Sequence, residues 1–209
     1  MTSTAPRHLD HVVVTTPDLP GALRAIEDAT GVALEPGGVH PTFGTRNYLA
    51  TFGGDAYLEL LGADPDNTSF TGARPFRVDD ATTTSAATWA AHPPSVARAL
   101  AAARDAGLDL GEPYDGARRT DDGTLLQWRL TPNFVEPSGV VPFLIDWGET
   151  VTPARTIGPR LTLASLSATH PDPERIGAVL AAIGVDLEVR EGPGRLSLTI
   201  EGPAGQMSL

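Results

Sequence analysis

Residues 9 to 31, LDHVVVTTPDLPGALRAIEDATG, decide the fold. Leu9 to Thr16 is rich in β-branched residues and reads as a strand. Pro17 breaks it, an Ala/Leu-rich stretch at helical spacing follows, and Gly31 supplies a left-handed stop. The same grammar recurs twice. Thr82 to Gly107 reads TTTSAATWAAH and then PPSVARALAAARDAG, and Leu161 to Gly184 reads LTLASLSATH and then PDPERIGAVLAAIG. Pro17, Pro93 and Pro171 recur at steps of 76 and 78 residues, and Gly31, Gly107 and Gly184 at 76 and 77. A constant step with constant grammar is the mark of repeated units. Val96, Leu100 and Ala103 in the second helix, and Ile176, Val179, Leu180 and Ile183 in the third, fall on one face at helical spacing.

Each predicted helix is followed by further strands. Asn47–Phe52 and Ala56–Leu61 flank a Gly53-Gly54-Asp55 turn; Thr124–Thr131 and Val140–Trp147 flank a Pro- and Gly-bearing loop; Leu187–Arg190 and Arg195–Glu201 flank Gly192-Pro193-Gly194. A strand and helix followed by antiparallel strands is an α+β pattern and not the strict alternation of a doubly wound sheet. The expected architecture is repeated βαβββ modules forming a cupped mixed sheet, helices outside. Two modules, 7–62 and 82–148, make one domain over 7–148, and a shortened third occupies 160–209. The Pro/Asp/Gly-rich stretches Ala63–Ala81 and Thr150–Arg160 read as connectors.

Composition narrows the chemistry. The chain has 209 residues, 41% hydrophobic and 20% charged, enough for a sizeable core. It contains no Cys, and all 15 basic residues are Arg. Thiolate nucleophiles, disulfides, iron–sulfur clusters, P-loop phosphate sites and Schiff-base lysines are thereby excluded. A formal charge of −11 argues against nucleic acid and anionic membrane as partners. No apolar run approaches a membrane span, and no secretory signal is visible in Met1 to Pro6, so the expected location is the cytoplasm.

Side-chain alternation places Leu9, His11, Val13 and Thr15 on one face of the first strand, and Asp10, Val12, Val14 and Thr16 on the other. If Val12 and Val14 pack on the helix, His11 faces the cup. By the same rule Ala56, Leu58 and Leu60 face the helix, and Tyr57, Glu59 and Leu61 the cup. An imidazole and a carboxylate on one concave face form half of a site for Zn, Mn, Fe(II) or Ni. The same pair also serves as a plain hydrogen-bonded couple. His40, in the Gly-rich stretch GGVHPTFG, is the candidate third ligand, the other reading being a histidine that caps a turn before Pro41. Arg46 in Gly44-Thr45-Arg46-Asn47 offers a bidentate clamp for an acidic group, making it a catalytic candidate beside Glu59. Asn47, Tyr57, Trp89 and Trp128 are candidate substrate-binding residues, the tryptophans serving as cavity walls or as core. His92 and His170, each before a proline, read as residues leading into helices.

LDHVVVTTPDL, followed by HPTFGTRNYLATFGGDAYLELLG (His40 to Gly62), LLQWRLT (Leu125 to Thr131) and VPFLIDWG (Val141 to Gly148), resembles the vicinal oxygen chelate superfamily and its glyoxalase-like domain. The resemblance covers residues 7 to 148 well and the last 50 weakly. It implies two modules closing around a small-molecule cavity. It also implies a divalent metal held by a His on a module's first strand and a Glu on its last, which chelates two neighbouring oxygens during isomerase, lyase or dioxygenase chemistry. Pairing as a homodimer is common in the family, and some members sequester a drug without metal. The second unit departs from the pattern, with Ala87 where His11 stands and Ile145 where Glu59 stands; Asp146 is one position off register, and the third unit has Ser165. The leading expectation is a metal-dependent enzyme acting on a small oxygenated molecule, with His11, Glu59 and His40 as ligands. The alternatives are a metal-free small-molecule binder and a degenerate module kept for protein contact.

Overall fold

A computed structural model describes residues 5–119, 123 and 125–209. Met1 to Thr4 of the N-terminal segment, and Thr124 at the start of an expected strand, lie outside the described residues. The elements run β1 (Leu9–Thr15), α1 (Leu19–Thr30), β2 (Glu35–His40), β3 (Thr45–Gly53), β4 (Ala56–Ala63), β5 (Ser85–Ala91), α2 (Val96–Asp105), β6 (Tyr114–Arg119), β7 (Leu125–Leu130), β8 (Phe143–Asp146), β9 (Thr162–His170), α3 (Pro173–Ala182), β10 (Val189–Glu191), β11 (Arg195–Gly202) and β12 (Gly205–Ser208). β2, β6 and β12 have no counterpart in the sequence reading. Glu35–His40 holds a proline and two glycines, which depress strand propensity, and its pairing with β3 overrides that.

The helices begin a little after the prolines expected to open them. Asp18, Ser95 and Asp172 are the N-caps, their side chains accepting from the backbone N–H of Gly21, Arg98 and Arg175. At the far ends Gly31, Gly107 and Gly184 all take positive φ, as read from the sequence.

The first eight-stranded sheet has the order β2-β3-β4-β1-β5-β8-β7-β6. β1 lies parallel to β4 and antiparallel to β5, and β5 is parallel to β8, so the two halves meet along the β1–β5 seam. The edges approach each other, since β2 contacts β6 and the sheet curls into a nearly closed cup. The remaining strands form a second sheet, β10-β9-β11-β12. This is the cupped mixed α+β architecture expected from the repeats.

The main core lies on the convex side, where helices and small sheet pack on the large one. Val12, Val14, Leu58 and Leu60 are fully buried there, each worth about 1.5–3 kcal/mol of hydrophobic transfer. A second apolar cluster, with Val13, Leu61, Phe143, Ile145 and Trp147, lies inside the cup. The two expected connectors do more than connect. Each carries a short 3-10 turn, Pro75–Asp80 and Pro153–Arg155, and Pro75, Phe76 and Pro153 cover the cup's interior.

Candidate functional site

The cup encloses a hollow of about 820 Å³, counted out to its open mouth. His11 and Glu59 both line it. Their strands run parallel, with His11 beside Tyr57 and Val13 beside Glu59, so imidazole and carboxylate are diagonal neighbours on the concave face. His11 Nε2 lies 3.6 Å from Glu59 Oε2, just beyond hydrogen-bond range. The two residues are 4% and 8% exposed.

Asp10 corrects the alternation argument. Along β5, Ala91 and Ala90 are successive partners, but along β1 those partners are Leu9 and His11. Asp10 is therefore the extra residue of a β-bulge, and a bulge re-aims a side chain that strict alternation sends to the other face. Its carboxylate, 2% exposed, meets His11 Nδ1 at 2.6 Å and accepts the Trp147 indole N–H at 2.8 Å. A carboxylate at Nδ1 fixes the ring as the tautomer whose Nε2 carries a lone pair.

Glu59 is held in turn. Asn47 Nδ2 donates to Glu59 Oε1 at 2.6 Å, which leaves Oε2 directed at His11. Asn47 lines the hollow, and its Oδ1 is buried with no donor among the described residues. Gly37 makes room for this, since a Cβ there would fall 2.4 Å from that oxygen. Tyr57 stacks on His11 with centroids 4.7 Å apart, and Phe143 meets the ring edge-on at 5.4 Å. Burial, reinforced by Asp10 and Glu59, pushes the Tyr57 phenol well above its ordinary value, so it remains a neutral donor.

His40 lines the same hollow, with Nδ1 3.0 Å from Thr45 Oγ1. Desolvation pulls its pKa down and Arg118 adds to this, while Glu59 and Asp64 oppose it. Among the described residues, no three His, Cys, Asp or Glu side chains are gathered as a ligand group.

Two expected site residues lie elsewhere. Arg46, on the opposite face of β3 from Asn47, is clamped by Asp64 at 2.8 Å and Asp66 at 2.6 Å and is not part of the hollow's lining. Trp89 is fully buried on the convex side, its Nε1 donating to Val140 O at 2.8 Å. Register explains it, because Trp89 pairs with Val12, a helix-facing residue. Trp128 does line the hollow, 5.4 Å from Trp147. Trp147, read from the sequence with the other two tryptophans as cavity wall or core, also lines the hollow, and the sequence reading missed Asp10, Phe76 and Arg118 as contributors. Arg118 lies in the unread β6, and only the pairing of that strand with β7 brings it to the hollow.

The donor types suit a divalent cation. In the neutral ring with Nδ1–H turned to Asp10, Nε2 and Glu59 Oε2 are two acceptors that face each other. Two acceptors so placed are reconciled by a cation or an added proton. His11 and Glu59 supply two such donors, a partial set beside the three of a usual open site.

Comparison with known proteins places this geometry in context. A family model described as a glyoxalase-like domain matches residues 9–184. A hypothetical protein from Staphylococcus aureus superposes with a TM-score of 0.60 at 14% identity, covering 98% of this chain and 84% of its own. A mutant 4-hydroxymandelate synthase from Streptomyces coelicolor gives 0.53 at 15% identity; the match covers 99% of this chain and 63% of the synthase. Streptomyces coelicolor methylmalonyl-CoA epimerase, in complex with 2-nitronate-propionyl-CoA, gives 0.46 at 18% identity over 71% of this chain and all of its own. No curated protein matches the sequence. At such identities the structural likeness shows the fold alone.

Proposed function

The chain belongs to the glyoxalase-like domain family, and from that premise we propose that it is an enzyme holding a divalent cation at His11 and Glu59 and acting on a small molecule with two adjacent oxygens. The observation that carries this is His11 Nε2 facing Glu59 Oε2 at 3.6 Å while Asp10 occupies Nδ1. A bound cation there supplies Lewis acidity toward paired oxygens, chemistry of the lyase, isomerase or dioxygenase kind.

The chain's own groups do the rest. Asp10 sets the ring's tautomer, and Asn47 sets the carboxylate's orientation. Tyr57 presents a proton that stays on oxygen at neutral pH. Phe76, Phe143, Trp128 and Trp147 exclude water, which strengthens every charge interaction inside. Glu59 is the carboxylate placed to take or return a proton. His40 remains a third donor candidate on the same wall.

The test is cation uptake by the untagged protein, by calorimetry with Mn²⁺, Ni²⁺ and Zn²⁺. One ion per chain is expected, with affinity lowered at least about tenfold in His11→Ala and in Glu59→Gln. Equal uptake by all three proteins overturns the reading. The partial donor set favours one alternative, a metal-free binder of the same fold. It gains support if small aromatic ligands bind saturably with no ion taken up.

A further inference from the structure

Arg118 carries the next step. Among the described residues it is the one Arg on the wall of the hollow, and it also borders a second, wider groove of about 1350 Å³. It thus stands at the threshold between the two. Its Nη1 donates to the Gly37 carbonyl, which ties the β6 edge to the β2 edge and fixes the guanidinium there. Arg46, Arg74, Arg104 and Arg155 all sit against carboxylates, but among the described residues none pairs with Arg118. Among the described residues, most of its five N–H donors have no partner, and they form a fork that matches a carboxylate.

The surroundings narrow that partner. The hollow beside Arg118 is walled by aromatic rings. Among the described residues five large apolar side chains are exposed, and four crowd these openings: Phe43 and Tyr114 on the hollow, Leu125 and Val151 on the groove. Exposed apolar area concentrated at one mouth marks a binding surface. The groove also carries Glu35 and Glu149, which repel a second anion farther out.

We infer that the substrate is an aromatic or otherwise apolar molecule carrying one carboxylate, which Arg118 holds at the threshold, with an uncharged extension in the outer groove. This rests on the reading above of the hollow as a substrate site and adds the substrate's class. The acid is the part of the molecule held by Arg118 and not by His11 and Glu59.

The experiment compares 3-phenylpropanoate with 3-phenylpropanamide, equal in shape and different in charge. Binding to the untagged full chain is followed by tryptophan fluorescence and calorimetry without added metal. The acid is expected to bind at least about tenfold more tightly than the amide. Arg118→Met should erase that preference, and Arg118→Lys should keep part of it. Equal affinities in the wild type, a preference surviving in Arg118→Met, or no binding of either compound overturns the inference. If Arg118→Met does not fold, the wild-type comparison decides by itself. Cation uptake by the same samples separates the two readings. Uptake without acid preference sinks the Arg118 assignment alone, and acid preference without uptake sinks the metal reading alone.

Discussion

The indole N–H of Trp147 donates to Asp10 across 137 residues of chain, and the carboxylate receiving it also holds His11. The end of the second half of the sheet is thereby fastened to the group that orients the imidazole of the first. Asp10→Asn separates the two duties. The amide oxygen still accepts from Trp147, but the NH₂ turns to His11 Nδ1 and moves the ring proton to Nε2, facing Glu59. Cation affinity should fall about 10–100-fold, measured by calorimetry, with the fold retained. Asp10→Ala, which also strands the indole N–H, should in addition cost about 1–3 kcal/mol in urea unfolding.

Trp89 and Trp128 should behave as opposites. Trp89→Phe removes a buried hydrogen bond to Val140 and part of the convex core. A loss of about 1–3 kcal/mol is expected, with ligand affinity unchanged. Trp128→Phe should alter ligand affinity and ligand-induced quenching with little change in unfolding midpoint. Reversed results would put the wrong tryptophan in the cavity wall.

His40 gives the protein an acid-side weakness. Its folded pKa lies below the ordinary 6.5, chiefly through desolvation. Between the folded value and 6.5 the unfolded chain binds more protons, so stability falls as pH drops through that window. Glu59 and Asp64 temper the effect and Arg118 adds to it. His40→Gln should flatten the decline of the urea midpoint between about pH 7 and pH 5 relative to wild type. An unchanged slope would refute the assignment.

Tyr57 sets the alkaline limit. Its folded pKa is raised well above 10.0 by burial, with Asp10 and Glu59 adding to the rise. Above pH 10 the unfolded phenol loses its proton while the folded one keeps it, so stability is lost as pH rises beyond 10. Tyr57→Phe should keep more of its stability between about pH 10 and pH 11. In the wild type, the last of the three tyrosines should ionise only on unfolding, seen as a step in ultraviolet absorbance.

The repeated strand–proline–helix–glycine grammar made the module plan legible, and alternation in two strands placed Tyr57, Glu59 and Leu61 beside His11 on the concave side. Both are local properties with fixed periods. What stayed hidden depended on partners. A bulge is defined by the strand across from it, so nothing in LDHVVVT marks Asp10 as the surplus residue. Trp89 could be wall or core until its pairing with Val12 was known. Arg46 and Asn47 are adjacent, and the register that turned Asn47 inward turned Arg46 to Asp64 and Asp66. The β2 and β6 edges carry Gly, Pro and charge in place of a strong strand pattern.

Among the described residues, every imidazole and carboxylate lining the hollow comes from before residue 60, while the opposite wall, with Arg118, Trp128, Phe143 and Trp147, comes from after residue 110. On the function proposed above, reactivity and appetite are thus inherited on separate stretches of one gene. Substitutions in the later stretch can change which molecule is admitted while the reacting pair stays as it is, so a sister protein that shares the opening strand need not share the diet.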